Sequence, residues 1–290
     1  MRRVAVFCTL LGSILVASGS NAYQWPLRTF GNQHQINSTL GEYRSSNFHS
    51  GVDIDTTGLV STWVYPVTSD TARPFGAGED TYVRVGNYFY IHLRDTTSER
   101  YVVAYTDSVG RIYSHHLHLR EDQPFGRPIN PLRSAGLSPY QDNVDPQIDS
   151  IKFYRQGDTT QLTGILDGKV DILSVAMDLR TDTIGGSAGP GVSVYRIGYE
   201  IRDTSGAVRK PYWEGIIFDS LPGSGLLDTV YASGSSYEPP PPHFRYWVTN
   251  DPFNFNPGNR DWYWNTKQDS GSADSVDADS IEEAVFPRGN

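Results

Sequence analysis

The run His116-Leu117-His118-Leu119 constrains this chain more than any other short stretch. Polar and apolar side chains alternate at period two, which reads as a strand with both histidines on one face. Strand and turn signals dominate elsewhere as well. With 18 tyrosines, 28 glycines and 18 prolines in 290 residues, and few long helical patterns, the sequence predicts a mainly β protein. Ile112 to Leu119 is expected to be the strand that carries the histidine pair.

A second polar group precedes it in Phe48-His49-Ser50-Gly51-Val52-Asp53. In a straight strand His49 and Asp53 would stand roughly 13 Å apart, too far to share one ion. A helix would bring them together, but Gly51 and the β-branched Val52 and Ile54 argue against one. A turn or bulge at Ser50-Gly51 is therefore expected. Joined to the histidine pair, the segment offers the imidazole and carboxylate ligands that zinc takes, with one histidine to spare. His115 alternates to the opposite strand face. His34 and His243 lack ligand-spaced neighbours, and His92 follows an aromatic strand and reads as structural.

These residues resemble a known family. Ile36-Asn37-Ser38-Thr39-Leu40-Gly41-Glu42-Tyr43-Arg44, followed by Phe48 to Ile54, is similar to the entry of the lysostaphin-like M23 zinc metallopeptidases. His116-Leu117-His118, followed by Asn130-Pro131-Leu132, resembles that family's second signature. The resemblance covers about Tyr23 to Leu137. It implies Zn2+ as cofactor, with His49, Asp53 and His118 as metal ligands and His116 as the catalytic histidine. It also implies hydrolysis of peptide bonds in bacterial peptidoglycan. The family carries a Tyr-x-His-Leu between its two signatures. By position the equivalent here is Ala104-Tyr105-Thr106-Asp107, without a histidine, while His92 in Tyr90-Ile91-His92-Leu93 looks out of register. Tyr105 is then the expected contact for the oxyanion. The absent histidine leaves a second reading, a non-catalytic cell-envelope binding or regulatory protein.

Residues 1–22 read as a cleaved signal peptide. Arg2 and Arg3 precede an apolar run from Val4 to Val16, and Ser20-Asn21-Ala22 supplies small residues for cleavage. The run is shorter than a membrane span, and no later stretch qualifies. The expected location is periplasmic or extracellular. Cys8, the single cysteine, lies in this leader, so the mature chain cannot use disulfides. Losing the leader would leave 22 basic against 33 acidic residues, a net charge of −11. That balance argues against nucleic acid as a partner.

The remaining length suits two domains. Residues 23–140 are assigned to the metallopeptidase-like domain, an antiparallel sheet structure. Asp95 to Ser98 is expected to turn a hairpin between Tyr88–Arg94 and Arg100–Tyr105. Residues 150–290 are assigned to an accessory immunoglobulin-like β-sandwich, read from short strands at regular spacing. Phe286 to Asn290 reads as the lead-in to a strand, so the sandwich is expected without its last one. Glu238 to Pro242 reads as a stiff connector. The aromatics of Phe244–Trp247 and Trp262–Trp264 are expected to pack rather than bind sugars. Asp269 to Glu283 reads as a solvated acidic loop.

Overall fold

The computed structural model describes residues 4–9, 22–56, 62–124, 126–142, 144–179, 191–203, 205–237, 243–254, 262–266 and 276–277. The expectations for 238–242 and 286–290 lie outside these residues. So does the acidic stretch apart from Val276–Asp277, which pairs with Ile165–Leu166. The structure is mainly β, with several antiparallel sheets. No helix among the described residues is long and apolar enough to cross a membrane.

An eight-stranded antiparallel sheet organises the first half. Its order is Arg100–Val102, Asp70–Phe75, Tyr82–Val85, Tyr88–Ile91, His116–Asp122, Val52–Asp55 and Ile36–Ser38, with Pro128–Ile129 paired beside His116–Asp122. The sequence alternation sets the inner face. Val52, Ile54, Val83, Val85, Tyr90, Leu117 and Leu119 are all fully buried on one core with Trp25 and Leu27. Burying each such side chain stabilises the fold by about 1.5–3 kcal/mol. Asp70–Phe75 contains Pro74, which lacks a donor for the ladder. It is tolerated because the neighbouring edge strand pairs only as far as Ala72.

The expected hairpin at Asp95–Ser98 does not form. Leu93–Arg94 leaves the large sheet and pairs with Gly110–Ile112, which in turn pairs with Thr62–Val64. Arg100–Val102 returns to the large sheet beside Asp70–Phe75. The switch happens at His92, whose φ of 68° turns the chain between the two sheets. Regular alternation misses such a corner because one left-handed residue reverses the face of everything that follows.

The second half encloses a separate core between two sheets. One runs in the order Gln161–Leu162, Gln147–Arg155, Lys169–Met177 and Arg245–Trp247, with Trp264–Asn265 beside Lys169–Met177. The other has Arg196–Asp203 between Val208–Ile217 and Val4–Thr9. In the full-length chain, part of the expected leader is thus an edge strand. Phe244, Tyr246 and Trp264 are fully buried here, packed as the sequence suggested.

The two cores are joined by residues that belong to the first half in sequence. Tyr43 and Phe48, on the paired strands Tyr43–Arg44 and Asn47–Phe48, pack into the second core. Phe48 meets the rings of Phe218 and Tyr231, and the Tyr231 hydroxyl donates to Gly41 O at 2.8 Å. Gly41 has φ of 86°, and a Cβ there would sit 2.2 Å from the Phe218 ring, so only glycine fits. Asn130 clamps the other side: its backbone N–H donates to Asp219 O and its Nδ2 to Phe218 O.

Candidate metal centre

Two strands and one bend build the site. His116–Asp122 pairs with Val52–Asp55 in a register that places His118 directly opposite Asp53. Both side chains project from the face opposite Val52, Ile54, Leu117 and Leu119. His49 arrives by another route. Its backbone N–H donates to Glu42 O, and its carbonyl accepts from Gly41 N–H, which fixes it beside the hairpin. Ser50 and Gly51 then bend the chain into the strand. The reason for glycine is space. A Cβ on Gly51 would lie 2.3 Å from Leu119 O and 2.8 Å from His118 Nε2.

The result is a compact triangle. His49 Nε2 lies 3.1 Å from Asp53 Oδ1 and 3.0 Å from His118 Nδ1, and His118 Nδ1 lies 2.9 Å from Asp53 Oδ1. These are the three residues whose ligand atoms converge as a group able to hold a metal ion, and all three are buried. Three ligands of a tetrahedral zinc at ~2.0–2.1 Å stand about 3.3 Å apart. The observed triangle is slightly tighter and needs only small movements to match.

Proton counting points the same way. His49 Nδ1 lies 2.8 Å from Thr39 O, and a carbonyl only accepts, so Nδ1 carries a hydrogen; in the neutral imidazole Nε2 then holds the lone pair. Burial pushes the Asp53 carboxyl up, but His49 and His118 together outweigh it and hold it well below the usual range. It is therefore ionised and only accepts. Burial pushes the His118 imidazole down to about 4 against the pull of Asp53. With both imidazoles in the neutral form, at most one proton, on His118 Nδ1, serves the three contacts. His49 Nε2 and Asp53 Oδ1 then face each other lone pair to lone pair, an arrangement that a central cation relieves.

Further residues hold the ligands in place. Ser38 Oγ lies 3.2 Å from His49 Nδ1 and accepts from Arg44 Nη2 at 2.6 Å. Arg44 also donates to Glu42 Oε1 at 2.6 Å, stands 3.9 Å from Asp53 Oδ2, and lies over the ring of Tyr237. Such outer contacts fix ring orientation and tautomer.

The structure places His116 beside the triangle, with Nε2 3.9 Å from Asp53 Oδ1. Burial pushes its pKa down, Asp53 opposing, which keeps it neutral near pH 7. It is about one-third exposed and so remains open to a ligand. His115 is exposed, just before the strand begins. Tyr105 makes its contacts with Gln24 and Phe30. Its hydroxyl accepts from Gln24 N–H at 2.8 Å and its ring packs on Phe30.

The residue that sequence reasoning passed over is His92. Its ring stands 4.9 Å from that of His116 and 6.3 Å from that of His118. Its Nδ1 donates to Glu79 O at 2.9 Å, leaving the lone pair on Nε2. In a regular strand His92 would share the inward face of Tyr90. The left-handed φ turns it toward the histidine pair instead, at a cost that sites of function often carry. The literal string Tyr90-Ile91-His92-Leu93 was the available signal.

Comparison of the chain with protein-family models, curated proteins and solved structures finds no match in any of the three. What stands is a mainly antiparallel β protein with a buried His49–Asp53–His118 triad that could bind a metal ion.

Proposed function

We propose that this chain is a zinc-dependent endopeptidase acting on the peptide part of bacterial peptidoglycan, secreted or periplasmic. The observation that carries the reading is the buried triangle of His49 Nε2, Asp53 Oδ1 and His118 Nδ1 with two further histidines at its edge. Three protein ligands leave a coordination position open, the pattern of catalytic rather than structural zinc. When bound, zinc would polarise the scissile carbonyl and supply a water nucleophile at neutral pH.

The chain's own residues handle the protons. His116, neutral at neutral pH, accepts a proton at Nε2 and can return it to the leaving amine. His92 offers a second proton carrier at Nε2, its other nitrogen fixed on Glu79 O. His92 beside His116 would stand in for the histidine that Ala104–Asp107 lacks, which favours the enzyme over a non-catalytic envelope protein. The peptidoglycan assignment rests on the sequence resemblance alone.

The test is incubation of purified, zinc-loaded protein with purified peptidoglycan, with and without a chelator. Release of new amino termini that stops on chelation and returns with zinc is expected. Intact peptidoglycan with full zinc occupancy would overturn the reading.

A further inference from the structure

A cationic aromatic face is carried by segments that flank His92 and His116 in the chain and has no role in the chemistry above. The small sheet of Leu93–Arg94, Gly110–Ile112 and Thr62–Val64 buries Leu93, Ile112 and Val64. Its other face presents Arg94, Arg111 and Trp63, paired directly across the strands in that order. Arg111 lies over the Trp63 ring at 4.5 Å and the Tyr113 ring at 5.8 Å, and Arg94 over Tyr113 at 5.7 Å. Trp63 and Tyr113 are nearly half exposed.

The charge pattern is what demands an explanation. Like charges directly opposite on neighbouring strands destabilise a sheet. Among the described residues neither guanidinium forms a hydrogen bond or ion pair, although the chain carries a net charge of −9. Arg111 Nε is shut off from water with no hydrogen-bond partner. Tyr113 donates to Asp95 Oδ2 at 2.7 Å, which fixes a ring that both arginines approach. Two guanidiniums without an ionic partner among the described residues, framed by aromatic rings, match a carboxylate, which takes two parallel N–H donors, attached to an apolar body that stacks on the rings.

Position ties the face to the site. Arg94 follows His92 by two residues, which is at most roughly 7 Å along the chain. Tyr113 precedes His116 by three. An extended peptide advances roughly 3.3–3.6 Å per residue, so a group bound here lies a few residues from the bond at the metal.

We propose that Arg94 and Arg111, framed by Trp63 and Tyr113, form a subsite for a free carboxylate of the peptide substrate; this rests on the peptidase reading above. The test uses the zinc-loaded protein and fluorescent pentapeptides ending in D-alanyl-D-alanine, as free acid and as carboxamide, with binding followed by anisotropy. The free acid is expected to bind roughly tenfold tighter, less so at high salt, since the arginines are solvent-exposed on one side. The double variant Arg94→Gln/Arg111→Gln should bind both peptides equally, with unchanged zinc content. Arg94→Lys/Arg111→Lys should retain part of the preference, because charge survives while the fork is lost. Equal binding of both peptides to the unaltered protein, or a preference surviving in the glutamine variant, would overturn the proposal. So would tighter binding of a carboxamide carrying one phosphoserine. A preserved preference without any cleavage would sink the peptidase reading and leave the subsite standing.

Discussion

The floor of the metal centre and the arm that completes it are built on different principles. The floor is a strand pair, Val52–Asp55 against His116–Asp122, and its register alone sets Asp53 opposite His118. Leu117, Leu119, Val52 and Ile54 lock that register, because a one-residue slip would send the ligands into the core. The arm is the hairpin Tyr43–Phe48 with His49 behind it. Its aromatic side chains pack against Phe218 and Tyr231, more than 160 residues later in the chain. Two of the candidate ligands, Asp53 and His118, are thus held by the sheet that carries them, and the third, His49, follows a hairpin packed on the second core. If the triad binds a metal, the second core is therefore expected to influence its affinity although no metal-ligating cluster lies among its described residues.

The largest expected effect comes from removing a ligand. His118→Ala on the floor and His49→Ala on the arm should each release most of the zinc and abolish turnover, since three-ligand sites have none to spare. Metal analysis of the purified variants checks this. Zinc kept by His49→Ala would break the view that the arm completes the site.

Next come the proton carriers. His116→Ala and His92→Ala should keep their zinc and lose roughly 10²–10⁴-fold in kcat. Loss of zinc from His116→Ala with retention in His118→Ala would mean that the two histidines exchange roles.

The dependence on the second core is read from Phe218→Ala. Truncating this fully buried ring should cost about 3–5 kcal/mol of stability. It should also weaken zinc binding at temperatures where the protein remains folded. Val83→Ala, in the first core, should destabilise without that loss of affinity. For the same reason a fragment of residues 23–140, if it folds, should bind zinc more weakly than the full chain. Titration with a competing chelator distinguishes these outcomes.

The floor also predicts a pH dependence. In the metal-free protein His118 is folded with its pKa pushed down to about 4, against about 6.5 when unfolded. Between those values the unfolded chain binds more protons, so stability is full above about 6.5 and falls as pH drops toward 4. The loss is on the order of 3 kcal/mol. Asp53, depressed in the fold, adds a further loss only below about 4. Thermal melts of the metal-free protein between pH 7.5 and 4.5 test it, and His118→Ala should flatten the slope.

The smallest effects belong to residues outside both parts. Tyr105→Phe and His115→Ala should change zinc content and kcat by less than about twofold, the usual range for positions away from the chemistry. A large loss in Tyr105→Phe would restore it as an oxyanion contact.

Much of the site was legible in the sequence because its signals are local. Period two put His116 and His118 on one strand face, and Gly51 marked the bend that brings His49 back to Asp53. The same alternation failed at His92, where one left-handed residue moves the chain between sheets and turns a side chain from the core to the site. It failed again at Asp95–Ser98, because strand partners are chosen by packing of distant faces and not by the turn between neighbours. The sequence by itself determined the β class, the candidate ligand types and the pair of strands that could carry them. Only the tertiary structure decided that Phe48 belongs to the second core, that His92 stands beside His116 and His118, and that Tyr105 packs on Phe30 and Gln24. Those outcomes depend on long-range contacts, and no local pattern encodes which buried ring a side chain will meet.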